Sequence, residues 1–269
     1  LKKARAIGLF DSGLGGLTVA EEVFRQMPGE EVIYFGDTAH VPYGGRSEEE
    51  LIGFAYAIIG FLIAQGAKYI IFACNTSSSI SLGIMRRRYQ VPMMGLVEPG
   101  AVAAARVTKN KRIGVIATEA TVRSGAYQQA IRAVCPGVRV YAQAAPLLVP
   151  LVEAGKVATP EAEAALRSYL APLQAAGIDT LLLGCTHYPF FIPLIKKILG
   201  PGVALVDPAA ATVSAAKQDM ERRGMLHNSL PDPSHRFFVS GDAAQFTVLA
   251  RNFTNRKLPP VRQVCLLEV

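Results

Sequence analysis

The chain has 269 residues, 51% of them apolar and 18% charged. That composition excludes a disordered chain and supplies ample core; at about 150 residues per domain it amounts to nearly two domains. Lysine plus arginine outnumber aspartate plus glutamate 28 to 21, a net charge of +7. The four cysteines (Cys74, Cys135, Cys185, Cys265) are too dilute for a disulfide scaffold and form no CxxC pair.

The opening LKKARAIGLF lacks the apolar run and cleavage site of a signal peptide, so a cytoplasmic protein is expected. Six short apolar runs then follow in order: 6–10, 31–35, 68–73, 113–117, 138–142 and 179–184. They are rich in Val, Ile, Leu and aromatic residues without clear alternation, as strands buried on both faces are. Helix signals lie between them. Ser47 and Glu50 fit a capping box ahead of residues 51–65. Residues 51–67 are uncharged but contain three glycines and Gln65, and fall short of a membrane span, so a buried helix is expected there. Thr159 and Pro160 fit an N-cap and first helical position, with Glu161 and Glu163 in the first turn. A helix is expected from about Ala210 to Arg223, then a turn at LPDPS, a strand at RFFVS and a helix starting near Asp242. This alternation predicts an α/β fold with mostly parallel sheets flanked by helices.

An internal repeat divides the chain. Gly66 lies eight residues before Cys74, and Gly177 eight before Cys185, with an apolar strand in each gap. AIGLFDS resembles RIGVIAT at an offset of 106, and Val41-Pro42 matches Val149-Pro150 at an offset of 108. Two pseudo-symmetric α/β domains follow, divided as 1–97 plus 210–269 and 98–209, with the active site in the cleft between them. Each half places a cysteine just past the carboxyl end of a strand, the edge where open α/β sheets bind ligands.

Cys74 opens CNTSSS and Cys185 opens CTH, so each thiol is surrounded by hydrogen-bonding side chains. Cys135 and Cys265 lack such company and read as small buried hydrophobes. Two facing cysteines could form a disulfide, a metal site or an acid–base pair. A metal needs further ligands, and residues 74–79 supply only hydroxyls and an amide beyond the thiol, so no metal is expected. A thiol of pKa about 8.5 needs a neighbour to take its proton. Asp11, at the end of the first strand, is placed near Cys74; His187 and Glu153 are the candidates beside Cys185. Asp11 could equally cap the following helix. Gly13-x-Gly15, with Asp37 ending the next strand, looks like half of a dinucleotide fingerprint, but Thr18 takes the third glycine position. A glycine turn of this kind also suits a carboxylate. The residues point to a small, carboxylate-bearing polar substrate held between two thiols.

FDSGLGGLTV (10–19), YFGDTAHVPYG (34–44), ACNTSS (73–78), LLLGCTHYPF (181–190) and the late VSGD (239–242) closely resemble the bacterial glutamate racemase family, in its order and along nearly the whole chain. The resemblance implies a cofactor-independent isomerase that interconverts L- and D-glutamate and supplies D-glutamate for peptidoglycan. It implies Cys74 and Cys185 as the two bases, assisted by Asp11, Glu153 and His187. It implies glutamate-binding segments at Asp11-Ser12, Tyr43-Gly44, Asn75-Thr76 and Thr186-His187, and a homodimer. Some members respond to a cell-wall precursor through an extended N-terminus; with six residues before Ile7, that control is not expected.

Three rivals remain. Aspartate and hydantoin racemases share the two-cysteine plan. A nucleic-acid-binding protein is suggested by the +7, but the only basic cluster, Arg86-Arg87-Arg88, reads as a solvated helix face, so no nucleic acid is expected as main partner, nor any membrane. A thiol redox protein would want CxxC spacing.

Overall fold

The computed structural model describes residues 6–226, 233–251, 253–254 and 256–266. Most of the LPDPS turn and the residues before Ala6 lie outside the described residues. The first part of the chain runs β1 (Ala6–Asp11), α1 (Leu17–Gln26), β2 (Val32–Gly36), α2 (Glu48–Ala64), β3 (Ala67–Phe72), α3 (Asn75–Ile80), α4 (Leu82–Arg88), β4 (Met93–Met94) and α5 (Val97–Val107). The second runs β5 (Arg112–Ala117), α6 (Glu119–Ser124), α7 (Ala126–Val134), β6 (Arg139–Ala144), α8 (Leu148–Glu153), α9 (Pro160–Ala175), β7 (Thr180–Gly184), α10 (Ile192–Leu199), β8 (Ala204–Val206) and α11 (Pro208–Arg222). The tail adds β9 (Arg236–Val239), α12 (Ala243–Ala250) and β10 (Val261–Gln263).

The strands form two parallel sheets, ordered β10-β9-β2-β1-β3-β4 and β6-β5-β7-β8. The order β2-β1-β3-β4 recurs as β6-β5-β7-β8, so the sequence repeat is a repeat of topology. Gly66 and Gly177 open β3 and β7 in both halves with positive φ (94° and 67°), which a side chain would strain. The tail strands β9 and β10 extend the first sheet beyond β2.

Helices cover both faces of each sheet. In the first, α1, α11 and α12 pack around Leu9, Tyr34, Tyr69 and Ile71, while α2 and α4 cover Phe10, Phe35, Ile70 and Phe72. In the second, α8, α9 and α10 pack on Ile116, Leu181 and Leu183, and α5 and α7 on Ile113, Val115 and Leu182. This two-sided burial is why β1, β3 and β7 show no alternation.

The expected helix starts are present. Ser47 and Glu50 complete the capping box of α2, Thr159 caps α9 ahead of Pro160, and Asp242 caps α12; such a cap contributes about 1 kcal/mol. Several expectations are corrected. Helix α2 buries one face only, through Leu51, Ala55, Ile58, Ile59 and Leu62. Strand β6 is half-exposed because it forms a sheet edge. Cys135 is half-buried and Cys265 is exposed. Val41-Pro42 precedes a 3-10 turn at Tyr43–Gly45, whereas Val149-Pro150 lies within α8, so that pair shares sequence but not local structure. Strands β4, β8 and β10 were not expected; at two or three residues each, they are too short for a period to register. Among the described residues no helix is long and apolar enough to cross a membrane.

Candidate active site

The carboxyl ends of the central strands converge. Asp11 ends β1, Thr118 follows β5, Cys74 lies just past β3, and Cys185 follows β7 directly. A small cavity of about 10 Å³ is lined by Ser12, Tyr43, Gly44, Cys74, Asn75, Thr76, Thr118, Val149, Cys185, Thr186 and His187. Both thiols therefore line one cavity, one from each half. Every residue expected at the site lines it except Asp11 and Glu153, which reach it through their neighbours.

On the Cys185 side, Sγ lies 3.8 Å from His187 Nδ1, and His187 Nε2 lies 2.6 Å from Glu153 Oε1. Burial opposes charge on this imidazole, but the hydrogen bonds to Cys185 and Glu153 outweigh it and hold the His187 pKa well above its usual value. His187 thus bridges a thiol and a carboxylate. The Glu153 side chain is 23% exposed, and it borders a second, solvent-facing pocket with Thr38, Asp242 and Gln245.

On the Cys74 side the neighbouring carboxylate, Asp11, is fully buried. Its Oδ2 accepts from the Gly13 N–H (2.9 Å) and faces the Tyr34 hydroxyl at 3.4 Å. Burial raises the Asp11 pKa, against the opposing pull of His187 and the Gly16 and Gly13 N–H groups. Burial and then the Asp11 charge push the Cys74 thiol up to about 12, although the Ser77 N–H works the other way. At neutral pH Cys74 is a thiol, and it can act as a base only by handing its proton to a neighbour. The Ser12 hydroxyl lies 4.0 Å from its sulfur.

The glycine turn serves this junction. A Cβ on Gly15 would lie 2.5 Å from His187 Nδ1 and 2.6 Å from Thr186 Oγ1, so only glycine lets the two halves approach here. The turn faces the other half of the chain, at Thr186 and His187. Helix α1 is capped by Gly16 with no side-chain cap, so Asp11 does not serve as its N-cap. Asp37 accepts hydrogen bonds from Tyr43 and Ser240 and lies 2.8 Å from His40 Nδ1, which anchors Tyr43 at the cavity wall.

Asp11 Oδ1 and Asn75 Nδ2 are buried without a hydrogen-bond partner among the described residues. Buried polar atoms left unpaired cost about 1–3 kcal/mol each, so a polar occupant of this region would relieve them. Thr118 and Val149 line the cavity but were not expected there. Thr118 Oγ1 lies 2.9 Å from Thr76 Oγ1 across the cleft and donates to Thr121 Oγ1 at 3.0 Å. The signal for Thr118 was present: AIGLFDS over RIGVIAT aligns it with Ser12.

Comparison with known proteins agrees with this geometry. The family described as Asp/Glu/Hydantoin racemase matches residues 12–216. A glutamate racemase of Desulforudis audaxviator is 58% identical over 267 residues, covering 97% of this chain and 98% of its own. The crystal structure of glutamate racemase isoform RacE1 from Bacillus anthracis superposes with a TM-score of 0.92 at 36% identity, covering 98% of both chains. That of the Francisella tularensis glutamate racemase in complex with D-glutamate gives 0.90 at 34% identity, covering 97% of both. With this fold, this pair of strand-end thiols and these relatives, the chain belongs to the Asp/Glu/Hydantoin racemase family of isomerases.

Proposed function

We propose that the protein is a glutamate racemase that interconverts L- and D-glutamate by two-base proton transfer. The observation that carries the reading is that Cys74 and Cys185, from equivalent positions of the two half-repeats, line one cavity. Inverting a stereocentre requires a base on one face and an acid on the other. In one direction the thiolate of one cysteine takes the α-proton, breaking Cα–H and forming S–H, and the bonding pair remains on Cα. The second thiol then gives its proton to the opposite face and is left as thiolate. No electron is gained or lost, and the enzyme ends with the two protonation states exchanged. Asp11 serves Cys74, and His187, held by Glu153, serves Cys185.

The developing carbanion needs donors aimed at the substrate carboxylate in a site with little water. Thr76, Thr118 and Thr186 hydroxyls, the Asn75 amide and the Ser12 hydroxyl surround the cavity and suit that role. Glutamate is the substrate favoured by the relatives' names. No cofactor enters this scheme. The same reading brings a homodimer, a cytoplasmic location and supply of D-glutamate for peptidoglycan. Circular dichroism of L-glutamate and, separately, L-aspartate, incubated with enzyme and no added cofactor, tests it. Loss of signal with glutamate alone is expected. Loss with aspartate alone would reassign the substrate, and dependence on an added cofactor would remove the two-base scheme.

A further inference from the structure

We propose that Tyr127 is a positioning residue whose hydroxyl, reaching across the cleft to Asn75 Oδ1, aims the Asn75 amide nitrogen at an oxygen of the substrate. The proposal rests on the glutamate reading. Tyr127 belongs to α7 in the second domain, whereas Asn75 directly follows Cys74 in the first. The Tyr127 hydroxyl donates to Asn75 Oδ1. Once the oxygen is engaged, the amide cannot rotate without breaking that bond, and its Nδ2 is left buried and unpartnered on a residue that lines the cavity. An N–H donor in that position selects an acceptor, which in an amino-acid substrate is a carboxylate oxygen.

The tyrosine is itself held. It is buried, and a Cβ on Gly184 would lie 3.2 Å from its Cε2 and one on Gly100 3.4 Å from its hydroxyl, so the ring fills a slot between β7 and α5. Burial, followed by Asp207 and Cys185, pushes its pKa well above the usual value, so the hydroxyl keeps the proton that it donates. Without the hydroxyl, the Asn75 amide would be free to turn and bring its oxygen toward the substrate carboxylate, a repulsive arrangement.

The test is a double-mutant cycle in kcat/KM for glutamate, with Tyr127→Phe, Asn75→Ala and the double variant, each checked for folding by thermal melting. Tyr127→Phe alone is expected to lose about tenfold, carried mainly in KM, as loss of one buried hydrogen bond at a binding group would. In the Asn75→Ala background the same substitution should cost less than twofold, because there is no amide left to aim. A purely structural tyrosine would cost the same factor in both backgrounds, and that result overturns the proposal, as does a loss below twofold in the otherwise wild-type enzyme. An inactive wild type would instead overturn the glutamate reading and this proposal with it.

Discussion

The two sides of the cavity place the same side chain at the same point of the fold and give it different company. Cys74 follows β3 and Cys185 follows β7, yet the repeat puts Ala117 where Asp11 stands and Thr76 where His187 stands. On one side a fully buried carboxylate, its pKa raised by burial, stands beside a thiol pushed up to about 12. On the other an imidazole is held protonated between a thiol and a partly exposed carboxylate. Topological symmetry therefore sets where the two thiols stand; on the proposed two-base reading, the amino acid between them, with distinct groups on each side, needs unlike surroundings. Enantiomers have equal free energy, so any variant must have equal kcat/KM in the two directions. Differences between the sides can show only in kcat and KM taken separately, in stability and in pH response.

The harshest test of equivalence is to remove each sulfur. Cys74→Ser and Cys185→Ser should each cut racemisation in both directions by on the order of 10³ or more, because a hydroxyl is a far poorer base than a thiolate. Either variant keeping above about a tenth of wild-type turnover would end the two-base scheme.

Removing the helpers should separate the sides. Asp11→Asn and His187→Asn are each expected to lower turnover by about 10²-fold, the scale of a general acid–base contribution, but to move stability in opposite directions. The folded Asp11 pKa lies above its unfolded value, so its stabilising share is full below the unfolded value and is lost as pH rises through the folded one. Asp11→Asn should therefore melt about 2–4 °C above wild type at neutral pH, a change equivalent to ~1 kcal/mol, and the gain should vanish in acid. The His187 pKa is also raised, but here the protonated form is the charged one, paired with Glu153. Its stabilisation is full below the unfolded pKa and fades as pH rises through the folded one, so His187→Asn should melt lower, most clearly in mildly acidic buffer. Melting curves that shift the same way for both variants would show that the helpers are electrostatically alike.

Gly15→Ala probes the contact between the halves. Its methyl would meet His187 Nδ1 at 2.5 Å, and a displacement near 1 Å at a reacting group can cost about 10² in rate. We expect a loss of up to that size in kcat. Near-normal kinetics would show that the cleft gives way easily at the turn. The smallest effect should come from Glu153→Gln. That side chain acts only through His187 and is partly solvated, so about a tenfold fall in kcat is expected. A loss as large as that of His187→Asn would mean that the carboxylate itself moves the proton.

Much of the fold was legible because its determinants are local. Buried parallel strands announce themselves as apolar runs, and Ser47, Thr159 and Asp242 mark helix starts within three residues of the groups they cap. Strands β4, β8 and β10 were not legible, being too short to carry a period. The Val-Pro match misled because two residues do not define a backbone: one pair enters a 3-10 turn and the other lies within a helix.

The chain's own sequence was enough to determine the repeat, the two strand-end cysteines, Asp11 and His187, since each follows from position relative to a strand end. Which group meets which was decided only by the tertiary structure. His187 finds Glu153 34 residues away, Thr76 finds Thr118 at 42 and Tyr127 finds Asn75 at 52. The last two contacts form where the strand ends of the two halves meet, and the first where α8 packs beside the end of β7. No local period encodes that packing, and the burial it creates is what raises the pKa values of Asp11 and Cys74.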